Sequence, residues 1–113
     1  MIKDKELIAM LKEPRTRREG FAVLVKQYSE QLYWKVRRIV FDHDDANDVL
    51  QNTFVKAWVN LDSFQGKSSI LTWLFRIAMN ESLDFLRKQK ATSQVSADEE
   101  PTVAASLMGD PFF

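Results

Sequence analysis

Residues 21–39, FAVLVKQYSEQLYWKVRRI, decide the fold. Phe21, Leu24, Val25, Tyr28, Leu32, Val36 and Ile39 recur at helical spacing, which keeps one side of a 3.6-residue spiral facing inward, whereas a strand would need alternation. The segment predicts a long amphipathic helix. Just upstream, Thr16-Arg17-Arg18-Glu19 fits a capping box, in which the Thr hydroxyl and the Glu carboxylate satisfy free backbone N–H groups, so the helix is expected to begin there. Before it, Leu7, Ile8, Met10 and Leu11 predict a short first helix from Lys3 to about Lys12, stopped by Pro14.

Downstream, Asp42-His43-Asp44-Asp45 makes a polar break whose carboxylates suit the positive end of a third helix. That helix carries Val49, Leu50, Phe54, Ala57, Trp58 and Leu61 and is expected to end near Leu61. Asp62 to Ser69 mixes hydroxyl residues with Gly66 and one aromatic, which reads as an ordered loop closed by a Ser N-cap. A fourth helix follows from Ile70 to about Lys90. It is apolar on most sides as far as Leu86, and its last turn, Arg87-Lys88-Gln89-Lys90, is basic, as suits a helix C-terminus. No segment alternates with period two, and Pro14, Gly20 and Gly66 are the only Pro or Gly before residue 101. The expected fold class is all-α, a compact bundle of about four helices over residues 1–90. From Ala91 the composition turns to Ser, Thr, Ala and acidic residues, so 91–113 reads as a linker or flexible tail.

The 113 residues, 45% of them apolar, suit one domain with a core. Sixteen basic residues balance sixteen acidic ones, and a net charge of zero taken alone disfavours a polyanion partner. The balance is an average over two segments. Residues 91–113 hold Asp98, Glu99, Glu100 and Asp110 and no Lys or Arg, which leaves residues 1–90 at a net charge of plus four. There is no cysteine, so no disulfide framework or thiolate zinc site is available. No secretory leader and no apolar run of membrane-spanning length is legible, which leads to the expectation of a cytoplasmic protein without direct membrane insertion.

His43 among Asp42, Asp44, Asp45 and Asp48 is the one group resembling a metal site. It lacks the turn Gly and distal Glu of an oxygen-ligand calcium loop, and helix capping accounts for it. Gly66 stands alone, so there is no phosphate-cradling loop. No catalytic residue, cofactor or metal is expected. The more informative group is aromatic and basic: Phe64, Lys67, Trp73, Phe75, Arg76, Asn80, Arg87, Lys88 and Lys90. Trp73, Arg76, Asn80, Asp84 and Arg87 advance by three or four along one helix face. Binders of single-stranded nucleic acid combine such cations with aromatic walls, although Trp73 and Phe75 are equally compatible with a plain core.

The run Asp45-Ala46-Asn47-Asp48-Val49-Leu50-Gln51-Asn52-Thr53-Phe54-Val55-Lys56-Ala57-Trp58 resembles the segment of region 2 of bacterial sigma factors that docks on RNA polymerase. Phe64-Gln65-Gly66, Thr72-Trp73-Leu74-Phe75-Arg76-Ile77-Ala78-Met79-Asn80 and Asp84-Phe85-Leu86-Arg87-Lys88 are similar to the promoter-reading part of the extracytoplasmic-function group. Together they cover roughly residues 5–90. The resemblance implies a non-enzymatic transcription initiation module. Asp48, Gln51, Asn52, Val55 and Lys56 would meet the clamp helices of the largest catalytic subunit of core RNA polymerase, with Phe54 and Trp58 packing beneath. Promoter DNA would be read at the minus-ten element as non-template single strand. Phe64, Ser68 and Ser69 would line a pocket for a flipped base beside the variable Lys67, with Asn80 nearby. Trp73 and Arg76 would stand at the point of strand separation, and Arg87, Lys88 and Lys90 would neutralise phosphates. An anti-sigma factor is a further partner the family commonly has.

The family pattern also includes region 4, a helix-turn-helix, which nothing in residues 91–113 can form. The sequence is therefore expected to end in the linker or to be truncated. Two rival readings remain open: a helical module that binds only a regulatory protein, and a metal-dependent enzyme built on Asp42 to Asp48.

Overall fold

Local patterning becomes four helices in the computed structural model, which describes residues 2–98, with side chains for residues 2–91. Helix α1 spans Asp4–Lys12, α2 Arg17–Val40, α3 His43–Val59 and α4 Ile70–Asp98, with a 3-10 turn over Leu61–Ser63. No strand occurs among the described residues. The all-α expectation holds. Helix α4 continues to Asp98 instead of stopping near Lys90, because no Gly or Pro interrupts the chain before Pro101. The rest of the expected tail, residues 99–113, lies outside the described residues. The chain divides into two compact units, residues 1–82 and 83–113.

The core of the first unit is built from Leu7 and Leu11 of α1, Leu24, Tyr28, Leu32, Val36 and Val40 of α2, Ala46, Val49 and Ala57 of α3, and Ile70, Leu74 and Ala78 of α4. Leu7, Leu24, Leu32 and Leu74 have no exposed surface, and each such side chain contributes about 1.5–3 kcal/mol by leaving water. The buried line of α2 runs 20, 24, 28, 32, 36, 40, so Gly20 and Val40 join the expected stripe while Phe21, Val25 and Ile39 flank it, half-buried. In α3 the buried line includes Thr53, a position the apolar pattern passed over; its hydroxyl donates to the Val49 carbonyl (2.8 Å), which removes the cost of burying it.

Thr16 does not form the expected capping box. It is the N-cap of α2, but its backbone is αR and its side chain caps nothing. The hydroxyl instead donates to the Met10 carbonyl (2.8 Å), and the Arg17 Nε donates to the Leu11 carbonyl (2.9 Å). The turn through Pro14 brings the start of α2 back over the end of α1, whose last carbonyls have no helical donors and take these side chains. The same close return explains Gly20: a Cβ there would stand 2.9 Å from the Cβ of Met10. Gly20→Ala, ordinarily favourable inside a helix by about 1 kcal/mol, is expected to destabilise the fold by about 1–3 kcal/mol through overpacking. A higher urea midpoint in the variant would contradict this.

Asp4 ties three helices together. Its Oδ1 accepts from the Tyr28 hydroxyl of α2 (2.9 Å) and its Oδ2 accepts from the Ile70 amide at the start of α4 (3.0 Å). Desolvation first, and then the hydrogen bond to Asp4, push the Tyr28 phenol above its ordinary value. A raised folded-state value means the stabilisation is complete below the unfolded phenol's pKa, near 10, and is lost as pH rises through the folded one. The wild-type chain is therefore expected to lose stability above about pH 10, and Tyr28→Phe to flatten that alkaline limb; identical limbs in pH-dependent thermal melts would contradict it.

Candidate functional site

Helix α3 starts at Asp42, whose carboxylate accepts from the Asp45 amide (3.1 Å). Its buried line, Ala46, Val49, Thr53 and Ala57, turns Asp48, Gln51, Asn52 and Val55 outward, and all four are exposed. The strip continues through Val59, 72% exposed against 60% for Val55. Two bare valines beside amides make a face suited to helix-on-helix docking. Val59 was legible as the next step of four after Val55, but it lay past the motif. Lys56 is exposed as well, and its Nζ lies 2.6 Å from Glu81 Oε2 of α4, whose side chain is largely buried. It serves as a strut between α3 and α4. Phe54 and Trp58 meet the edge of Phe21, with centroids 6.3 and 5.1 Å apart. Trp58 remains 40% exposed, so it borders the outward strip more than it underlies it.

The acidic turn has the geometry of a cap. Both ring nitrogens of His43 are engaged, Nδ1 with the Tyr33 hydroxyl (2.6 Å) and Nε2 with the Asn47 amide (3.1 Å). Among the described residues no group of three or more His, Cys, Asp or Glu could hold a metal ion. The Asp45 carboxyl is pushed above its ordinary value, by desolvation first and then by repulsion from Asp42, Asp48 and Asp44.

The loop between α3 and α4 forms a cavity of about 150 Å3 lined by Ser63, Phe64, Gln65, Lys67, Ser68, Trp73 and Arg76. A space of that order takes a single aromatic ring. Phe64 is buried and packs at 5.1 Å, tilted by 50°, against Trp73, so it forms the cavity's wall from behind. Its carbonyl accepts from the Lys12 Nζ (2.8 Å), which fixes the loop to α1. Gly66, at φ +73, gives the bend that only glycine takes without strain. Five expected residues meet here: Phe64, Lys67, Ser68, Trp73 and Arg76. Ser63 and Gln65 join them, and as polar loop residues they carried no periodic signal.

Two expected residues are elsewhere. Ser69 is the N-cap of α4, its Oγ accepting from the Thr72 amide (3.1 Å) and donating to the Thr72 hydroxyl (2.9 Å). Asn80 lines a neighbouring depression with Lys35, Thr72, Phe75, Arg76 and Met79, since one further turn of helix moves it about 6 Å along the axis from Arg76. In the second unit Lys88 and Lys90 are exposed, and Lys88 pairs with Asp84 one turn earlier (3.2 Å). Arg87 is half-buried. Among the described residues no helix is long and apolar enough to cross a membrane.

The helical fold thus carries an outward amide-and-valine face on α3 and a ring-sized, cation-flanked loop cavity. The family model described as Sigma-70 region 2 matches residues 24–92. The chain is 32% identical over 96 residues to the ECF RNA polymerase sigma factor SigW of Bacillus subtilis, an alignment covering 81% of this chain and 51% of that protein. It is 41% identical over 71 residues to the ECF RNA polymerase sigma-E factor of Escherichia coli, 63% of this chain and 37% of the relative. The corresponding sigma-E factor of Haemophilus influenzae is 36% identical over 72 residues, 64% of this chain and 38% of the relative. The chain belongs to the sigma-70 family, as a region 2 domain of the extracytoplasmic-function group. It spans about half the length of the first curated relatives it matches.

Proposed function

We infer that this domain is a transcription initiation module, without enzymatic activity, that joins core RNA polymerase to the minus-ten element in the cytoplasm and holds the non-template strand open. The observation that carries the reading is the loop cavity: a ring-sized space with an aromatic wall, hydroxyls and an amide at its rim, and Lys67 and Arg76 beside it. Extruding a base from a duplex costs a few kcal/mol of stacking and pairing. An aromatic wall returns about 1–3 kcal/mol per base, and hydrogen bonds from Ser68 and Gln65 to the base edge supply selectivity. Arg76 neutralises the adjoining phosphates, and Arg87, Lys88 and Lys90 of the second unit are further cations for the DNA backbone. On the other side of the mechanism, Asp48, Gln51, Asn52 and Val55 meet the clamp helices. Polymerase thereby presents the strand to a domain whose modest charge gives weak affinity for free DNA. An anti-sigma regulator would act by covering either face.

The direct test is an anisotropy titration of single-stranded minus-ten oligonucleotides in the presence of core enzyme. Sequence-dependent affinity supports the reading; its absence would leave a module that binds protein alone. Asn80→Ala is expected to weaken discrimination at one promoter position by about 1–3 kcal/mol if Asn80 touches a base edge. An equal loss on all sequences would assign Asn80 to strand positioning.

A further inference from the structure

Between α2 and α4 lies an aromatic and basic surface whose α2 side, Trp34, Lys35 and Arg38, neither motif includes. Trp34 of α2 is 56% exposed, unusual for so large an apolar side chain with no functional demand on it. It lines an open depression of about 460 Å3 with Lys35, Arg38 and Phe75. Lys35 Nζ stands 5.4 Å from the centre of the Phe75 ring, a cation–π contact that holds the ammonium beside the aromatic surface. Among the described residues no carboxylate forms a salt bridge with Lys35, Arg38 or Arg76; Glu30 and Gln31, one turn before Trp34 and Lys35, line the same depression.

This depression adjoins the loop cavity through shared walls. Lys35 and Phe75 also line the Asn80 depression, and Arg76 belongs to both that depression and the loop cavity. The result is a track from the loop, over α4, to Trp34, with a cation at each stage. We propose that single-stranded DNA held in the loop cavity continues along this track, with a base stacked on Trp34 and phosphates on Lys35 and Arg38. The proposal rests on the function inferred above and lengthens its site beyond the minus-ten pocket. Charge favours a nucleic acid over a protein segment as occupant: three unpaired cations spaced along an aromatic-lined groove match a polyphosphate backbone with unstacked bases.

The test uses holoenzyme assembled from core polymerase and the full chain. Two probes are compared, a short single-stranded oligonucleotide confined to the minus-ten element and longer ones extended by several nucleotides at either end. Trp34→Ala and Arg38→Gln are expected to weaken binding of one of the longer probes by roughly fivefold to a hundredfold and to leave the short probe unchanged. Trp34→Phe should restore most of the loss, and Arg38→Gln should lower the salt slope by about 0.7. Equal affinity of parent and variants for every longer probe would overturn the proposal. So would a loss of core-polymerase binding by Trp34→Ala with DNA binding otherwise intact, which would make the surface a protein contact. Trp73→Ala and Ser68→Ala, both in the loop cavity, separate the two readings on the short probe. If these weaken it and the Trp34 variant changes nothing, only the extended track fails; if these also change nothing, the loop-cavity reading fails with it.

Discussion

Replacing Gln51 and Asn52 together by arginine is expected to abolish binding to core RNA polymerase while leaving the helical circular dichroism spectrum and the melting temperature unchanged. Both side chains are exposed, so nothing inside the fold depends on them. At a docked helix face, two unpartnered guanidinium groups would be desolvated, a loss of several kcal/mol and at least about a hundredfold in affinity. Retained binding in a pull-down or titration with core enzyme would remove α3 as the docking face. Lys56 is a poorer probe of the same face. Its variants expose the consequences of leaving Glu81 buried without its 2.6 Å partner, and a binding defect would then report altered packing of α3 on α4.

The second large effect is on stability. Asp4→Ala removes the acceptor of both the Tyr28 hydroxyl and the Ile70 amide, two donors on different helices. Each unsatisfied donor costs about 1–3 kcal/mol, so a total near 3 kcal/mol is expected, and a fall in melting temperature of about 10–20 °C for a domain of this size. Asp4→Asn keeps one acceptor oxygen and should lose about half as much. A melting temperature within a degree or two of the parent for Asp4→Ala would show that the three-helix junction does not depend on this carboxylate. Because Ile70 opens the helix that carries Trp73 and Arg76, the same variant should loosen the loop cavity and weaken strand binding along with the fold.

The parts of the candidate site that were legible share one property: they lie on a helix face or in a motif only a few residues long. Asp48, Gln51, Asn52 and Val55 were named by the family resemblance of the 45–58 run, and helical geometry agrees with it by turning them away from Ala46, Val49, Thr53 and Ala57. Phe64, Lys67, Trp73 and Arg76 were readable as an aromatic and basic group, while Ser68 and the pocket itself came from the family resemblance. Ser69 was assigned to the cavity as well as to the cap, and the cap prevailed, since an amide at a helix start needs its acceptor whether or not a ligand is present. Trp34 was passed over because its exposure is a property of the packed helices and leaves no trace in the spacing of apolar residues.

By itself the sequence determined the all-α class, the approximate extent of the first three helices and the Asp42 and Ser69 caps, because each depends on residues within about four positions of one another, and it gave the family resemblance through the order of its motifs. The tertiary structure alone decided the rest. Asp4 meets Ile70 across 66 positions, and Lys12 reaches the Phe64 carbonyl across 52. Thr16 gave up its capping role to serve the end of α1, and Lys56 of α3 pairs with Glu81 of α4. A polar side chain bonds to whatever unsatisfied group the folded chain brings within about 3 Å, and that neighbour is set by how the helices pack, which local spacing does not encode.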